Sequence, residues 1–365
     1  MFETNAKADS EPAKGTGIGL PHVEKDGTRM TTMEDIARRL SVSKGTVSKA
    51  LSGATDISET LRKSILETAV EMGYARIQRS DGRRLCVLVT NMAYQYPGDF
   101  GYDLIMGFRK LAEPGGFRVD VVELTDDLQQ QYSYDAFMLK NDYVGAFVLG
   151  LHLQDSWTAV FEICRTPAVL FDFPPTNHSL VASVETDNYE GMCLAVARLK
   201  ELGHQTIGYL GGLPLSYIFQ QRQSAFFSAM RTCGLPVDKS FSGTAHRTSV
   251  CLETHFQRLR DKGCTAIICS HDLLANALLV HCRENGLSVP RDLSVIGMDD
   301  IPLSQHTDPP LTTIRQNRLE LGRCAYYAMS SLLSGVPVSR LLLHTELVER
   351  GSIGPAGGQR TGTSD

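Results

Sequence analysis

The sequence lacks the long hydrophobic runs and leader segments that mark membrane and secreted proteins. No run approaches the ~20 consecutive apolar residues that a membrane helix needs. The polar N-terminus has no apolar core of the kind found in a secretory signal peptide. We therefore expect a cytoplasmic protein that has no membrane partner.

Closely spaced cysteines and nucleotide-binding glycine motifs are also missing. Nine cysteines are spread singly, without a C-x-x-C pair, whereas zinc sites need close pairs and disulfide frameworks belong to small secreted chains. We expect reduced thiols and neither a metal nor another cofactor. The chain has no G-x-G-x-x-G after a strand, no P-loop and no G-x-S-x-G elbow. The adjacent Ser270, His271 and Asp272 do not make a catalytic triad by adjacency alone, so we expect no enzyme.

Charge is distributed unevenly along the 365 residues. Residues 30–84 carry ten Lys or Arg and seven Asp or Glu, a net charge of +3, although the whole chain has a net charge of −5. A basic module on an acidic body suggests a polyanionic partner for that module. Residues 1–29 are rich in Gly, Pro and charged residues without an apolar period, which predicts a disordered N-terminal extension. Structure-like sequence begins only after Met30, so translation from Met30 is a hypothesis for this chain.

Three short helices are predicted in residues 30–74. Thr32, Ser43 and Ser58 are good N-caps, and apolar residues follow each of them at helical spacing. Gly73 is a C-terminal stop for the third helix. The first two helices, joined by a tight turn, are typical of a helix-turn-helix, whose second helix carries its N-terminal residues to base edges in the major groove.

The segment TMEDIARRLSVSKGTVSKALSG, residues 32–53, resembles the DNA-binding head of the LacI (lactose repressor) family, and the resemblance continues to Tyr74. It implies a transcription regulator that binds operator DNA sequence-specifically. Small hydroxyl residues in the second helix allow close approach and can hold phosphates, while lysines can contact guanine. The candidate DNA-binding residues are Thr32, Ser43, Lys44, Gly45, Thr46, Ser48, Lys49, Arg76 and Arg79.

The head departs from the family pattern at three positions. Ser41 stands where the family usually has Gly in the turn, and Ser adopts that backbone at modest cost. Gly45 occupies a position that often carries a base-reading side chain, so specificity would depend on neighbouring residues of the same helix. Lys49 replaces the usual Arg and gives up bidentate geometry.

Residues 75–84 are predicted to form a basic hinge or linker. Family members usually place here a hinge helix that wedges a leucine into the minor groove, but this segment has no such leucine and is shorter. We therefore do not expect this protein to kink DNA by inserting a leucine. Arg76, Arg79, Arg83 and Arg84 could instead follow phosphates or a narrow minor groove, and a flexible linker is the alternative.

Strands and helices alternate through residues 85–353. Apolar runs such as Leu85–Thr90, Gly145–Leu149 and Ala168–Phe173 are separated by helical stretches, the pattern of buried parallel strands with crossover helices. Its length favours two lobes over one. The predicted fold class is an all-α helix-turn-helix head plus α/β, with two doubly wound parallel-sheet lobes, followed by a polar tail at residues 354–365.

Two segments of this region also resemble the family. LGHQTIGYLGG, residues 202–212, and VPRDLSVIGMDD, residues 289–300, match its L-G-H-x-x-I-x-x-L-G-G and V-P-x-D-x-S-V-x-G-x-D-D patterns. The resemblance implies lobes of the type I periplasmic-binding-protein-like fold, with a small-molecule effector, a sugar or related metabolite, in the cleft between them. The candidate ligand-binding residues are Phe100, Tyr102, Asp187, Tyr217, Arg222, His271, Asp272 and Asp299.

Some of these residues have alternative interpretations. Asp187 and Asp272 could cap helices or hold the crossover between lobes, and Phe100 or Tyr102 could be plain packing. His271 stands where the family has Asn, and an imidazole cannot copy the paired donor and acceptor of an amide. The ligand preference is therefore expected to differ from that of hexose repressors.

The resemblance also implies a homodimer, with a tetramer as the alternative. Two heads would bind the half-sites of an inverted repeat in operator DNA. The tail at residues 354–365 has no leucine heptad for a tetramerising coil, which favours a dimer. The expected function is a repressor controlled by its effector; the alternative is a DNA-binding regulator whose sensor domain has lost ligand binding.

Overall fold

The computed structural model describes residues 30–74, 83–174, 176–212 and 216–357. The predicted N-terminal extension and the linker residues Arg76 and Arg79 lie outside these ranges, as does most of the predicted tail. In the described part, no helix is long and apolar enough to cross a bilayer. We call residues 30–74 the head.

The elements follow one another as three helices and then two α/β units. The helices are α1 (Met33–Leu40), α2 (Lys44–Ser52), α3 (Glu59–Glu71), α4 (Phe100–Ala112), α5 (Asp126–Gln131), α6 (Tyr134–Asn141), α7 (Asn188–Glu201), α8 (Tyr217–Thr232), α9 (Thr248–Cys251), α10 (Gln257–Asp261), α11 (Asp272–Glu284) and α12 (Arg318–Leu333). The strands are β1 (Arg83–Val89), β2 (Phe117–Glu123), β3 (Tyr143–Leu149), β4 (Ala168–Phe171), β5 (Val181–Thr186), β6 (Ile207–Gly211), β7 (Ser242–Thr244), β8 (Ala266–Cys269), β9 (Ser294–Asp299), β10 (Thr312–Arg315), β11 (Arg340–Leu343) and β12 (Glu346–Val348).

The head helices begin at the predicted caps. Thr32 and Asp35 form a capping box, in which the Asp35 carboxylate accepts the Thr32 backbone N–H at 2.9 Å. Ser43 and Ser58 accept backbone N–H groups of the first turns of α2 and α3. Ser41 adopts a left-handed conformation with φ of 55° at the end of α1, so serine takes the backbone geometry for which glycine is usual.

Each lobe is built on a six-stranded sheet. In the first lobe the strand order is β11-β5-β4-β3-β1-β2, and every pairing is parallel. In the second lobe the order is β12-β10-β9-β8-β6-β7, and only the β12 pairing is antiparallel. The predicted fold class, two doubly wound lobes after a helical head, is confirmed.

The chain passes between the lobes three times, because β11 and α12 return to the first lobe after β10. The Thr186 hydroxyl donates to the Gln316 side-chain oxygen at 2.7 Å and joins two of these crossings. Helix α12 packs closely on α4 at two glycines. A Cβ on Gly107 would lie 2.1 Å from the Leu319 carbonyl oxygen, and one on Gly322 would lie 2.1 Å from that of Leu104.

The first strand begins at Arg83, two residues before the predicted start of the first lobe. The Arg84 guanidinium pairs with Asp120 and donates to the Asn141 carbonyl at 2.7 Å. Arg84 is therefore held in the lobe, which corrects the expectation that it belongs to the linker and follows phosphates. The apolar run that begins at Leu85 did not show that β1 starts two residues earlier, at the arginines.

Candidate DNA interface and effector cleft

One face of α2 is exposed and carries small polar and basic side chains. Val47, Ala50 and Leu51 bury the opposite face in the head. The exposed positions are Ser43, Lys44, Gly45, Ser48 and Lys49, and Thr46 is partly buried beside them. The Ser43 and Thr46 hydroxyls lie 2.8 Å apart. This face brings the candidate residues of α2 together. Thr32 instead caps α1 and is hydrogen-bonded to Asp35.

Both lysines of α2 are paired with acidic residues of the head. Lys44 contacts Glu34 and Lys49 contacts Asp56, and these hydrogen bonds lower the pKa of the two carboxyls. Exposed pairs of this kind contribute little to stability. DNA phosphates can therefore replace the carboxylates at small cost.

The cleft between the two lobes encloses about 650 Å³, within the usual range for small-molecule sites. Phe171 and Asp172 contribute from the carboxyl end of β4, and Asp299 from the end of β9. Phe100 and Arg222 extend from α4 and α8. Open α/β sheets bind ligands at this edge, so the cleft is the candidate effector site.

A buried ion pair lies in the wall formed by the second lobe. Arg222 Nη2 lies 3.2 Å from Asp299 Oδ1, and the exposed fractions of the two side chains are 4% and 13%. The Arg222 guanidinium also donates to the Ser270 carbonyl at 2.5 Å, while Asp299 accepts from Gln316 at 2.6 Å. These contacts fix the donor and acceptor groups in place before a ligand arrives.

Asp172 supplies a second carboxyl group from the opposite lobe. Its Oδ1 atom is buried and has no hydrogen-bond partner among the described residues. Desolvation raises the pKa of Asp172 to about 8, against the opposing effect of the Arg222 charge. The residue also has a left-handed backbone, with φ of 48°. The residue lines the cleft, so its carboxyl group is a candidate polar contact for a ligand.

Aromatic rings form the apolar part of the cleft. Phe219 and His271 stack with centroids 5.3 Å apart and planes inclined by 28°. Burial lowers the pKa of His271, which favours its neutral ring, and its Nδ1 lies 2.9 Å from the Ser270 hydroxyl. On the first lobe, the ring centroids of Phe100 and Phe171 lie 6.1 Å apart. The cleft thus combines flat apolar surfaces with a few fixed polar groups.

Comparison with known proteins places both parts of the chain. Residues 32–76 match the profile of bacterial regulatory proteins of the lacI family, and residues 196–353 match a periplasmic binding protein-like domain. The HTH-type transcriptional repressor CytR of Escherichia coli K12 is 30% identical over 332 residues, which cover 88% of this chain and 96% of CytR. The chain belongs to the LacI family. It is a DNA-binding transcriptional regulator.

Other members of the LacI family align over similar lengths. The regulator MalR of Streptomyces coelicolor is 30% identical over 357 residues, covering 90% of this chain and 98% of MalR. Among solved structures, a complex of the transcriptional regulator CelR with cellobiose has a TM-score of 0.64 at 24% identity, covering 88% of this chain and 99% of CelR. The lac repressor dimer bound to operator and the anti-inducer ONPF has a TM-score of 0.62 at 21% identity, covering 89% and 100%. These two structures support the fold.

The sequence-predicted ligand residues of this LacI-family protein divide into two groups. Phe100, Arg222, His271 and Asp299 line the cleft. Four others do not belong to its lining: Tyr102, Asp187, Tyr217 and Asp272. Position after a strand or near a pocket residue does not fix side-chain direction, so a ligand contact by these four residues stays a prediction that the described lining does not support.

The second group has structural contacts instead. The Asp187 carboxylate accepts the Glu190 N–H at 3.0 Å and caps α7. Asp272 turns into the second lobe, where its carboxylate accepts from the hydroxyls of Ser304 and Thr313, both at 2.6 Å. Burial and the charge of Asp299 raise the pKa of Asp272.

The two aromatic residues also point elsewhere. The ring centroid of Tyr217 lies 6.5 Å from that of Phe173, and Tyr217 is not part of the cleft lining. Tyr102 lies in the first turn of α4, two residues beyond Phe100. Positions two apart on a helix do not share a face.

Sequence reasoning missed several residues of the cleft, above all Asp172, His152 and Phe219. A signal for Asp172 was present, because it lies at the end of the apolar run Ala168–Phe173, where parallel sheets bind ligands. Extending the predicted strand to Phe173 concealed it. His152 follows β3 in the same way, whereas Phe219 had no distinguishing signal.

Proposed function

We propose that this LacI-family protein is a repressor whose affinity for operator DNA is controlled by an uncharged metabolite, a sugar or a related compound, bound between its lobes. The observation that carries this proposal is that the Arg222–Asp299 pair and the Asp172 carboxyl group, from opposite lobes, line one cavity. Carboxylates accept hydrogen bonds from hydroxyl groups and a guanidinium donates to them. Phe219 offers a flat surface to the apolar face of a ring.

The charge of the cleft favours a neutral ligand over an anion. The carboxylates of Asp99 and Asp299 line it beside the largely neutral Asp172 carboxyl group, and Arg222 is the cationic side chain that the described lining contains. That guanidinium is already paired with Asp299. A sugar phosphate would therefore meet carboxyl groups without a free cation to compensate it.

We further propose a domain and assembly plan. A head at residues 30–74 is joined through a linker, residues 75–82, to a ligand-binding and dimerisation domain that extends to residue 353. Two chains form a homodimer whose heads read an inverted repeat on chromosomal DNA in the cytoplasm. The protein acts by binding, and no catalytic role is assigned. An effector changes DNA affinity through its different affinity for two conformations.

A ligand screen by thermal unfolding tests the effector proposal. Monosaccharides, disaccharides and nucleosides are compared with the matched sugar phosphates on purified full-length protein. We expect saturable stabilisation by a neutral compound, because binding to the folded state alone raises its stability, and weaker stabilisation by the phosphorylated partner. Absence of any shift would favour the alternative regulator, whose sensor domain no longer binds a ligand.

Replacing Lys49 with alanine tests the DNA-reading face. We expect DNA binding to weaken severalfold and the slope of log affinity against log salt to fall by about 1, because one phosphate or base contact is lost. The measurement uses a duplex enriched on the wild-type protein from a random pool. Lys262→Ala, a charge removed from the second lobe, is the matched control. Equal affinity and slope for Lys49→Ala and wild type would contradict the assigned face.

A further inference from the structure

The head is packed against the first lobe through α3. The Glu59 carboxylate accepts the Tyr132 hydroxyl proton at 2.6 Å, and the Glu67 carboxylate accepts from the Ser133 N–H at 3.0 Å and the Ser133 hydroxyl at 2.7 Å. Ile65 and Leu66 belong to the same apolar cluster as residues of α6. Contact is therefore both polar and apolar, and it holds the head on the turn between α5 and α6.

Trp157, the single tryptophan of the chain, lies directly behind this turn. Its indole Nε1 donates to the Tyr132 carbonyl at 3.0 Å, and its backbone N–H donates to the Gln129 side chain at 3.1 Å. The ring lies 5.6 Å from Tyr134 and 5.9 Å from Phe137. Trp157 thus fixes the backbone on which the head rests.

The segment that carries Trp157 begins in the effector cleft. Gly150, Leu151 and His152 line the cavity. The His152 N–H donates to the Asp155 carboxylate at 2.8 Å, and the Thr158 hydroxyl donates to the His152 carbonyl at 3.2 Å. A tight turn therefore connects the cleft wall to Trp157.

Gly150 makes this turn sensitive to its surroundings. Its φ is +78°, and a Cβ there would lie 1.8 Å from the Thr90 carbonyl oxygen. Since protein interiors are close-packed, a displacement of such a segment is passed to its neighbours. Movement of the cleft wall would reach Trp157 within a few residues.

We propose that residues 150–158, Tyr132 and Glu59 form a cleft–head relay, through which occupancy of the cleft changes how the head is held on the first lobe. This inference rests on the proposed function, in which the cleft binds the effector. The linker has no leucine of the kind with which family hinge helices wedge DNA. The relay provides a second physical connection between the sensor and the DNA-reading head.

Coupling of this kind is reciprocal, which makes the relay testable without an identified effector. If the cleft wall influences the head, releasing the head must influence the cleft wall by the same free energy. Spatial continuity alone does not establish coupling. The test must therefore perturb each end and measure the other.

The first arm releases the head in the full chain with the double variant Glu59→Ala/Glu67→Ala. The readouts are acrylamide quenching of Trp157 fluorescence and amide hydrogen exchange of residues 150–158. We expect stronger quenching and exchange that is about fivefold faster or more, the lower end of typical coupling. Glu71→Ala, on the same helix with its side chain exposed, is the matched control.

Tyr132→Phe is a milder second variant, which tests the relay even if the double variant does not fold. It keeps the ring and the Trp157 contact to the Tyr132 carbonyl but removes the hydroxyl that binds Glu59. We expect it to accelerate exchange in residues 150–158 in the same direction. Wild-type quenching and exchange in both variants would overturn the relay.

The second arm loosens the cleft turn with Asp155→Ala and measures amide exchange in α3. Asp238→Ala is the control, because the Asp238 carboxylate makes a similar local hydrogen bond, to the Ser240 N–H at 2.8 Å, in the second lobe. We expect faster exchange in α3 for Asp155→Ala alone. Unchanged α3 exchange, despite a loosened turn, would overturn the relay. Neither arm uses a ligand, so a failed ligand screen would contradict the proposed function and leave this result standing.

Discussion

Replacing Arg222 with alanine is expected to abolish stabilisation by the effector while DNA binding without effector persists. Arg222 is the cationic donor of the cleft wall, and its guanidinium is held by Asp299, Ser270 and Asn188. Alanine removes the hydrogen bonds to the ligand and leaves the Asp299 charge without its cation. These partners of Arg222 lie in the second lobe, whereas the head packs on the first lobe, so its DNA-reading face is retained.

The same substitution is expected to lower the free energy of unfolding by roughly 3–5 kcal/mol, the usual cost of removing one partner of a buried ion pair. Urea unfolding measures this loss, and ligand binding is assayed under conditions in which the variant is folded. Arg198→Ala is the matched control, because Arg198 forms exposed pairs with Glu201 and Glu349. Exposed pairs contribute little. A normal ligand response in Arg222→Ala would remove Arg222 from the effector site.

The head was predictable because local chemistry determines it. Thr32, Ser43 and Ser58 each satisfy backbone donors within three residues along the chain, so their role can be read from spacing. Packing of α3 on the first lobe could not be predicted in this way. The Glu67–Ser133 contact joins residues 66 positions apart, and nothing in either segment alone indicates the other.

The lobes were predictable in type and less so in detail. Apolar runs identify buried parallel strands, but β5 also carries Ser183 and Glu185 on a fully buried strand. Glu185 is tolerated there because Arg340 of the neighbouring strand pairs with it at 2.8 Å. Such compensation comes from a strand about 150 residues later, so composition alone did not indicate β5.

Side-chain directions in the cleft could also be predicted only in part from the sequence. Arg222 and Asp299 were predicted from the family resemblance and line the cavity, whereas Asp272 turns into the core. Both aspartates follow strands of one sheet, and only the tertiary structure distinguishes their directions. Asp172 was missed because an aspartate at the end of an apolar run resembles an ordinary strand terminus.

Replacing Asp172 with asparagine is expected to make the protein more stable at alkaline pH. The pKa of Asp172 is about 8 in the folded protein and about 3.9 in an unfolded chain. Between these values the folded state binds more protons than the unfolded state, so the stability that the neutral carboxyl provides falls as pH rises. Below the unfolded pKa the contribution is fully present, and it is lost as pH passes through the folded pKa.

The difference between Asp172→Asn and wild type is therefore expected to grow from about pH 4 to about pH 8 and then level off. At about 1.4 kcal/mol per pKa unit the upper limit is roughly 6 kcal/mol, and partial exposure of the residue reduces it. Urea unfolding at a series of pH values measures the difference, with Asp238→Asn as an exposed control. A difference that does not depend on pH would contradict the raised pKa.

The same carboxyl group should give effector binding a pH dependence with a defined sign. A ligand hydroxyl that donates to the Asp172 carboxyl group binds the ionised form more strongly, since charge-assisted hydrogen bonds are the stronger ones. Affinity for such a ligand should rise as pH passes through about 8. In Asp172→Asn this rise should disappear. Affinity that falls over the same range in the wild type would mean that the ligand accepts a hydrogen bond from the neutral carboxyl group, which would point to a carbonyl or ring nitrogen in place of a hydroxyl group.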